Sequence, residues 1–217
     1  MTMRGVAWFA LLLGAAIFVA YLHVVGKAPF DPLRARHLRA MKDRLEVPAA
    51  YEHVTFDSIA ILPRHQPVAV CAPIERRAVS LDGYVHRILR ATDGDFHLEI
   101  RAAPDEQATP QIYQTAEITP GWRGRRASGG TDPSSGWSYQ HLAAVFRPNR
   151  SDLGPAWDAG PARVRISGWL LYDYAFEDEL DRLGRRRNPR LSGWEIHPVT
   201  RIEAWSDARQ AWVEVAR

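Results

Sequence analysis

The longest apolar run of the chain lies near its N-terminus. Val6 to Gly26 reads VAWFALLLGAAIFVAYLHVVG and contains no Asp, Glu, Lys or Arg. As a helix it would span roughly 30 Å, the thickness of the hydrocarbon layer of a membrane. A cleavable signal peptide has a shorter apolar core and a small-x-small cleavage site, which the following KAPF does not offer. The pattern predicts an uncleaved transmembrane anchor over residues 1–27; a cleaved signal or a buried core helix is the alternative.

A short helix is expected directly after this run. Asp31 can cap it, Pro32 suits its first position, and apolar residues recur at helical spacing as far as Leu45. Residues 28–50 are therefore interpreted as a juxtamembrane helical connector. The connector is rich in Lys and Arg, whereas Arg4 alone precedes the anchor, and this charge bias favours a cytoplasmic domain. The membrane orientation stays open on the residues alone.

The rest of the chain alternates between apolar and polar residues with the period of β-strands. An irregular lead-in over 51–78 comes first, and Trp137 to Phe146 has a helical arrangement inside a long insertion after the third strand. Three strands, a helix and two strands is the order of an OB-fold, a small partly open barrel. The sequence predicts an OB-like β-barrel over 79–217, with another small barrel or a sandwich as the alternative. The expected strands are Val79–Leu89, Asp95–Arg101, Ile112–Ile118, Arg163–Tyr172 and Glu195–Trp205, with Gln210–Val215 as a further candidate.

Composition narrows the possible chemistry. Of the 217 residues 46% are hydrophobic and 24% charged, which is ordinary for a folded domain. Cys71 is the only cysteine, so neither an intrachain disulfide nor a Cys-based zinc site can form. The net charge of +3 is too small to indicate nucleic-acid binding by itself. The sequence has no glycine-rich phosphate loop and no GxSxG nucleophile elbow.

Polar residues recur on one face of several predicted strands. The period of two places Asp95 with His97, and Glu195 with His197. If these faces converge, they form one ligand-binding cluster, whose candidates are Asp95, His97, Glu117, Asp173, Glu195 and His197. A hydrogen-bonded structural or ligand-orienting network is favoured, and separate solvent-facing residues are an alternative. A divalent metal is a further alternative, because imidazoles and carboxylates ligate such ions and a free carboxylate can activate water. Its candidate ligands are His97, His197, Glu117 and Glu195.

Two basic stretches are candidates for binding an anionic ligand. RLGRRRNPR, over 182–190, lies between the fourth and fifth predicted strands, where OB barrels contact oligonucleotides and oligosaccharides. The acidic EDELD just before it offsets part of its field, so a solvated charged loop is the alternative. The expected partners are an anionic polymer or an envelope protein, with nucleic acid less favoured. The candidate residues are Arg123, Arg125, Arg126, Arg185, Arg186 and Arg187.

The segments DGDFHLEI, AEITP, VRISGWLLYD and GWEIHPVTRIE resemble those of an uncharacterised family of bacterial proteins with DGDxHL, AE, GWLxxD and WEIHPV motifs. The resemblance covers about 79–205 and implies an OB-like domain, often exported, with no established activity. This sequence departs from the family pattern after the GWL strand, where Tyr174-Ala175-Phe176-Glu177 replaces a stretch that contains histidine in the family. That difference weakens the metal alternative. The recurrent polar positions of the family fall on Asp93, Asp95, His97, Glu117, Asp173, Glu195 and His197.

The DGD segment is also similar to that of staphylococcal-nuclease-type domains, which are calcium-dependent OB barrels. Phe96 replaces the threonine of that motif, and no isoleucine-proline-glutamate segment follows. The sequence therefore favours a non-catalytic, membrane-tethered binding module at the inner membrane, with its domain on the periplasmic or extracellular side. A metal-dependent, nuclease-like hydrolase is the alternative.

Overall fold

The computed structural model of the chain describes residues 32–104, 112–123, 136–146 and 156–216, with the backbone alone described at 156–161. The predicted anchor, Val6 to Gly26, lies outside these residues, and so do Arg125 and Arg126. Within the described ranges no helix is both long enough and apolar enough to cross a membrane.

The described chain is mainly β, with short helices at its start and between the strands. Each strand predicted over 79–205 is present, and so are the helix of the connector and the helix of the insertion. In chain order the elements are α1 Pro32–Lys42, β1 Glu52–Val54, α2 Phe56–Ala60, α3 Val68–Cys71, a 3-10 turn Ile74–Arg76, β2 Ala78–Arg90, β3 Phe96–Arg101, β4 Gln114–Ile118, α4 Pro120–Arg123, α5 Tyr139–Phe146, β5 Ala156–Tyr172, α6 Tyr174–Leu183, β6 Trp194–Ser206 and β7 Ala211–Glu214.

Five strands close into a barrel. β2 pairs antiparallel with β3 on one side and with β5 on the other, and β3 pairs antiparallel with β4. β4 then pairs parallel with β6, and β6 pairs antiparallel with β5, which closes the ring. β1 adds to β2 in parallel, and β7 forms a hairpin with β6. The prediction of a small β-barrel with an inserted helix is confirmed.

The interior of the barrel is filled by the apolar residues that alternate along these strands. Leu98, Ala116 and Ile196, from three neighbouring strands, are fully buried in this core. Leu142 and Phe146 of α5 belong to the same core. Because side chains alternate across a strand, the residues next to these in sequence point to the outer surface of the barrel.

α1 packs against the outside of the barrel. His37 Nε2 lies 2.5 Å from Glu75 Oε2, and Glu75 Oε1 accepts a hydrogen bond from the backbone N–H of Tyr172 at 3.1 Å. Beyond the end of α1, the indole of Trp122 donates to the Arg44 carbonyl at 2.8 Å. These contacts attach the connector to the barrel wall beside β5.

α6, which joins β5 to β6, was not predicted. Asp173 begins it, because one carboxylate oxygen accepts from the backbone N–H groups of Ala175 and Phe176 at 2.9 and 3.2 Å. Gly184 ends it with φ of 69°, a conformation that favours glycine. α6 and the chain that follows it form a wall beside the outer surface of the barrel.

Candidate functional site

A cluster of histidines and carboxylates lies on the outer surface of β3, β4 and β6. His97 and Glu117 face each other across β3 and β4, and Glu195 and His197 stand on either side of the inward-facing Ile196. Lys42 of α1 and Phe176 of α6 reach over this surface. We call the five residues Asp95, His97, Glu117, Glu195 and His197 the outer cluster.

His197 is at the centre of the outer cluster and is 1% exposed. Its Nδ1 donates a hydrogen bond to Glu195 Oε1 at 3.0 Å and lies 3.0 Å from Glu117 Oε2. Its Nε2 lies 3.5 Å from Asp95 Oδ2. The structure thus brings together five of the six residues that the sequence placed in one cluster.

Asp173, the sixth candidate, has a different role. One of its oxygens caps α6, and the other lies 3.3 Å from Lys42 Nζ. Burial, followed by the charge of Glu195, raises the pKa of Asp173. Asp173 therefore borders the outer cluster and joins α1 to α6.

His97 connects the outer cluster to the surface. Its Nε2 lies 3.1 Å from Glu117 Oε1, and its side chain is 17% exposed while that of Glu117 is fully buried. The ring meets Phe176 edge-on, with the ring centres 6.2 Å apart. Burial lowers the pKa of His97, which favours a neutral imidazole at neutral pH.

Two cations that sequence reasoning missed border the outer cluster. Arg190 Nη1 lies 3.4 Å from Glu195 Oε2, and its guanidinium stacks 3.6 Å from the ring centre of Phe176. Lys42 reaches the same region from α1, where the charges of Glu195 and Asp173 raise its pKa in spite of burial. Arg190 stood at the end of a predicted basic run, whereas no pattern related Lys42 to the strands.

The ionisation of the outer cluster is set by burial and by mutual charge. Burial would lower the pKa of His197, but the charge of Glu117 and the hydrogen bond to Glu195 raise it to about 10. Burial would raise the pKa of Glu195, but its hydrogen bond with His197 and the charges of His197 and Arg190 lower it to about 2. Burial raises the pKa of Asp95 to about 6 and that of Glu117 as well, the latter helped by the charge of Glu195.

Several buried polar atoms of the outer cluster lack a hydrogen-bond partner. Among the described residues, His197 Nε2 and both carboxylate oxygens of Glu117 accept or donate no well-directed hydrogen bond. Buried polar groups nearly always form hydrogen bonds, so buried atoms without one are candidates for binding an ion or a ligand. Asp95, Glu117 and His197 each offer one ligand atom, and these three atoms lie within 4.8 Å of one another. These three residues could hold a metal ion.

A second histidine–carboxylate group has a simpler explanation. His65, Glu177 and Asp181 also have mutually close ligand atoms, but His65 and Asp181 are about half exposed. Glu177 binds the guanidinium of Arg64 and accepts a hydrogen bond from the Gly193 backbone N–H at 2.7 Å. This group holds α6 against the start of β6.

A groove runs over the outer surface of β2, β3 and β4, next to the outer cluster. It consists of two adjoining cavities of about 320 and 280 Å³ that share four lining residues: Glu99, Tyr113, Arg187 and Asn188. Toward one end the groove is lined by His86, Arg87, Arg101 and Pro189. Toward the other end it is lined by Leu89, His97, Thr115, Phe176, Glu179, Leu183 and Arg190.

The predicted anion-binding arginines have different positions. Arg187 lines both cavities of the groove, and Arg186 is exposed beside it. Arg185 donates to the Leu191 carbonyl at 2.8 Å, and Arg123 donates to the Gly94 carbonyl at 2.6 Å, so both stabilise local chain structure. The sequence missed Arg87, whose place in the groove depends on β2 and β3 being neighbours.

A second arginine–aromatic surface lies on β5, β6 and β7. The guanidinium of Arg163 lies over the rings of both Trp205 and Trp212, 4.8 and 5.1 Å from their centres. Arg165 lies 4.5 Å from the Trp212 ring centre and makes a two-pronged ion pair with Asp82. Both arginines already contact tryptophan rings, and Arg165 also pairs with Asp82. None of these residues lines either cavity of the groove.

A scan of protein-family models and a search of curated protein sequences found no match to this chain. The resemblance carried by the DGD and EIHPV segments stays a prediction.

Proposed function

We propose that the barrel is an OB-like ligand-binding module and that the groove is its binding face. The strand order supports the fold: barrel strands one, two, three, five and four form a closed ring, and strands three and five are parallel. OB-folds bind oligonucleotides and oligosaccharides on the face of their second and third strands, next to the connection between strands four and five. The position of the groove carries the proposal, because it lies over β3 and β4 beside α6 and the segment after it.

The groove has the chemistry expected for an anionic polymer. Arg87 and Arg101 line one end and Arg187 lines both cavities, with Glu99 as an acidic neighbour 3.8 Å from Arg87. Tyr113 supplies an aromatic ring on which a sugar or a base can pack. Positive charge beside a ring is a common way to bind an extended anionic chain without reading its sequence.

The test uses the full-length chain in detergent, with fluorescence anisotropy of a labelled sulfated oligosaccharide and, in parallel, of a labelled oligothymidine. Arg187→Ala should weaken binding about tenfold and reduce its salt dependence by about one counterion. Arg186→Ala is the matched control, since this neighbour is exposed but does not line the groove. Equal losses in both variants, or no binding of either probe, would contradict the proposal.

We further propose that the N-terminal run Val6 to Gly26 holds this module at the inner membrane, with the barrel on the outer side. Its length and apolar composition support the anchor, and the resemblance to exported proteins supports the orientation. The test is a reporter that is active only in the periplasm, fused after Arg217. A silent periplasmic fusion with an active cytoplasmic one would overturn the orientation.

A metal-dependent hydrolase is a second candidate, favoured by one observation. His97 lines the groove while its Nε2 is 3.1 Å from Glu117 of the outer cluster, so a bound ligand would adjoin buried carboxylates. A nuclease-like reaction predicts Mn²⁺- or Zn²⁺-dependent cleavage of a phosphodiester probe that His97→Gln abolishes. Absence of cleavage with each metal would reject catalysis and leave the binding proposal intact.

A further inference from the structure

We infer that Asp95, Glu117 and His197 form a buried site for one divalent cation of the Zn²⁺ or Mn²⁺ class. The site adjoins the groove through the contact of His97 with Glu117 and does not depend on the identity of the ligand in the groove. Three features carry the inference: the orientation of His197, the buried oxygens of Glu117 that form no well-directed hydrogen bond, and the balance of buried charge.

The hydrogen bond of His197 leaves its second nitrogen available. Nδ1 donates to Glu195 Oε1 at 3.0 Å, which places the lone pair of a neutral ring on Nε2. Metal-binding histidines commonly donate their other ring N–H to a carboxylate in this way. Glu195 would therefore position the ligand without touching the ion.

Nε2 itself faces a carboxylate without forming a normal hydrogen bond. It lies 3.5 Å from Asp95 Oδ2, and no residue of the described chain forms a hydrogen bond with it. Without a metal, the proton of His197 makes this contact a long ion pair, and a divalent cation between the two atoms would take the place of that proton.

Glu117 completes the site. Both its oxygens are buried and, within the described ranges, neither has a well-directed hydrogen-bond partner. One atom each from Asp95, Glu117 and His197 lies within 4.8 Å of the others. Ligands about 2.0–2.2 Å from one ion are at most about 4.4 Å apart, so small side-chain rotations suffice to bind it.

The buried charges leave room for two positive charges. Four carboxylates, those of Asp95, Glu117, Asp173 and Glu195, are buried beside two cations, the buried Arg190 and the partly buried Lys42. With both histidines neutral, two negative charges remain, which equals the charge of one divalent ion. Without the ion, protons on His197 and on a carboxyl group must take its place.

The donor set indicates which ion the site prefers. One imidazole nitrogen and two carboxylate oxygens suit Zn²⁺ or Mn²⁺, whereas Ca²⁺ and Mg²⁺ bind through oxygen. His97 is the nearest further donor, with Nε2 3.1 Å from Glu117 Oε1. The site needs no residue from the Tyr174–Glu177 stretch, whose Phe176 packs against His97 instead.

The test measures metal content and thermal unfolding of the full-length protein after treatment with a chelator and dialysis against Zn²⁺, Mn²⁺, Ca²⁺ or Mg²⁺. The expected result is one equivalent of Zn²⁺ or Mn²⁺ and a rise in Tm of about 5 °C or more at saturation. Absence of stoichiometric metal, or equal stabilisation by all four ions, would overturn the inference.

Variants then locate the ion. Asp95→Asn keeps the side-chain shape and should weaken Zn²⁺ binding at least tenfold. Asp181→Asn, in the exposed His65 group, is the matched control and should bind as the wild type does. The reverse pattern would place the metal at the His65 group and contradict the inference.

If Asp95→Asn fails to fold, a measurement on the wild-type protein still tests the site. Nitrogen NMR of the histidine rings should show Zn²⁺ shifting Nε2 of one buried histidine while its Nδ1 keeps its proton. Shifts confined to exposed histidines would count against the site.

Discussion

The inner and outer faces of β3, β4 and β6 are both buried, but different interactions stabilise them. Leu98, Ala116 and Ile196 point inward into an apolar core, where burial itself stabilises the fold. One residue away, Glu117, Glu195 and His197 point outward and are just as buried. Burying charge costs free energy unless partners compensate, so the outer side is stabilised by pairing and the inner side by packing. A side that retains so many charges is the better candidate for function.

The largest expected effect comes from breaking a buried ion pair on the outer side. Glu195→Leu leaves Arg190 and His197 without their common acceptor and should lower the free energy of unfolding by about 3–5 kcal/mol. Combining it with Arg190→Leu should cost less than Glu195→Leu alone, because no unpaired guanidinium remains. Urea unfolding of both variants measures this difference, and a double variant that is less stable than the single one would show that pairing does not dominate there.

A smaller effect is expected where the two sides meet. A Cβ on Gly168 of β5 would lie 2.3 Å from the Pro198 carbonyl oxygen and 2.8 Å from a methyl carbon of Ile196. Gly168→Ala should therefore lower stability by about 1–3 kcal/mol and displace the neighbouring His197. Thermal unfolding and the histidine NMR signals report the two effects; a stable variant with unshifted signals would contradict this close approach. Gly184→Ala, in open space but at positive φ, is the comparison for backbone strain alone.

A still smaller change probes the inner side alone. Ile196→Val removes one methylene from the core and should cost about 1 kcal/mol. Because the side chain points away from the outer cluster, the variant should keep the groove affinity and the metal content of the wild type. Loss of either in a folded variant would mean that the two sides are not independent.

The smallest effect is a change in how the free energy of unfolding depends on pH under acidic conditions. Burial would raise the pKa of Glu177, but the hydrogen bonds from Arg64 and from the Gly193 N–H lower it below 4.5. Its contribution is present above pH 4.5 and is lost as pH falls through the lower, folded-state pKa. Urea unfolding between pH 3 and 6 should show a shallower acid slope for Glu177→Gln than for wild type. Identical slopes would mean that this carboxylate is not stabilised by folding.

The inner side of the barrel was largely predictable from the sequence. The alternation of residues in DGDFHLEI and WEIHPV identified the strands, and within each strand it placed Asp95 with His97 and Glu195 with His197 on one face. Neighbouring strands bring such residues together whatever the loops do. Whether the faces converge stayed open in the sequence, because convergence depends on the pairing of β4 with β6, strands that are far apart in the chain.

The elements that cover the outer face of these strands, α1 and α6, were not predictable from alternation. α6 contains the acidic run EDELD, whose charges obscure the apolar spacing of Phe176, Leu180 and Leu183. The predicted ligand Asp173 serves mainly as the cap of this helix, and Lys42 arrives from a helix more than 50 residues before β3. Such contacts depend on how helices dock onto the barrel, and short-range periodicity carries no information about docking.

The most direct test of the central claim is a hydrogen–deuterium exchange footprint of the full-length protein with and without the sulfated oligosaccharide. We expect protection of the backbone amides around His97–Glu99, Tyr113–Thr115 and Arg187–Arg190, the segments that line the groove. Protection at Trp205 and Trp212 instead would place binding on the other arginine–aromatic surface and contradict the account.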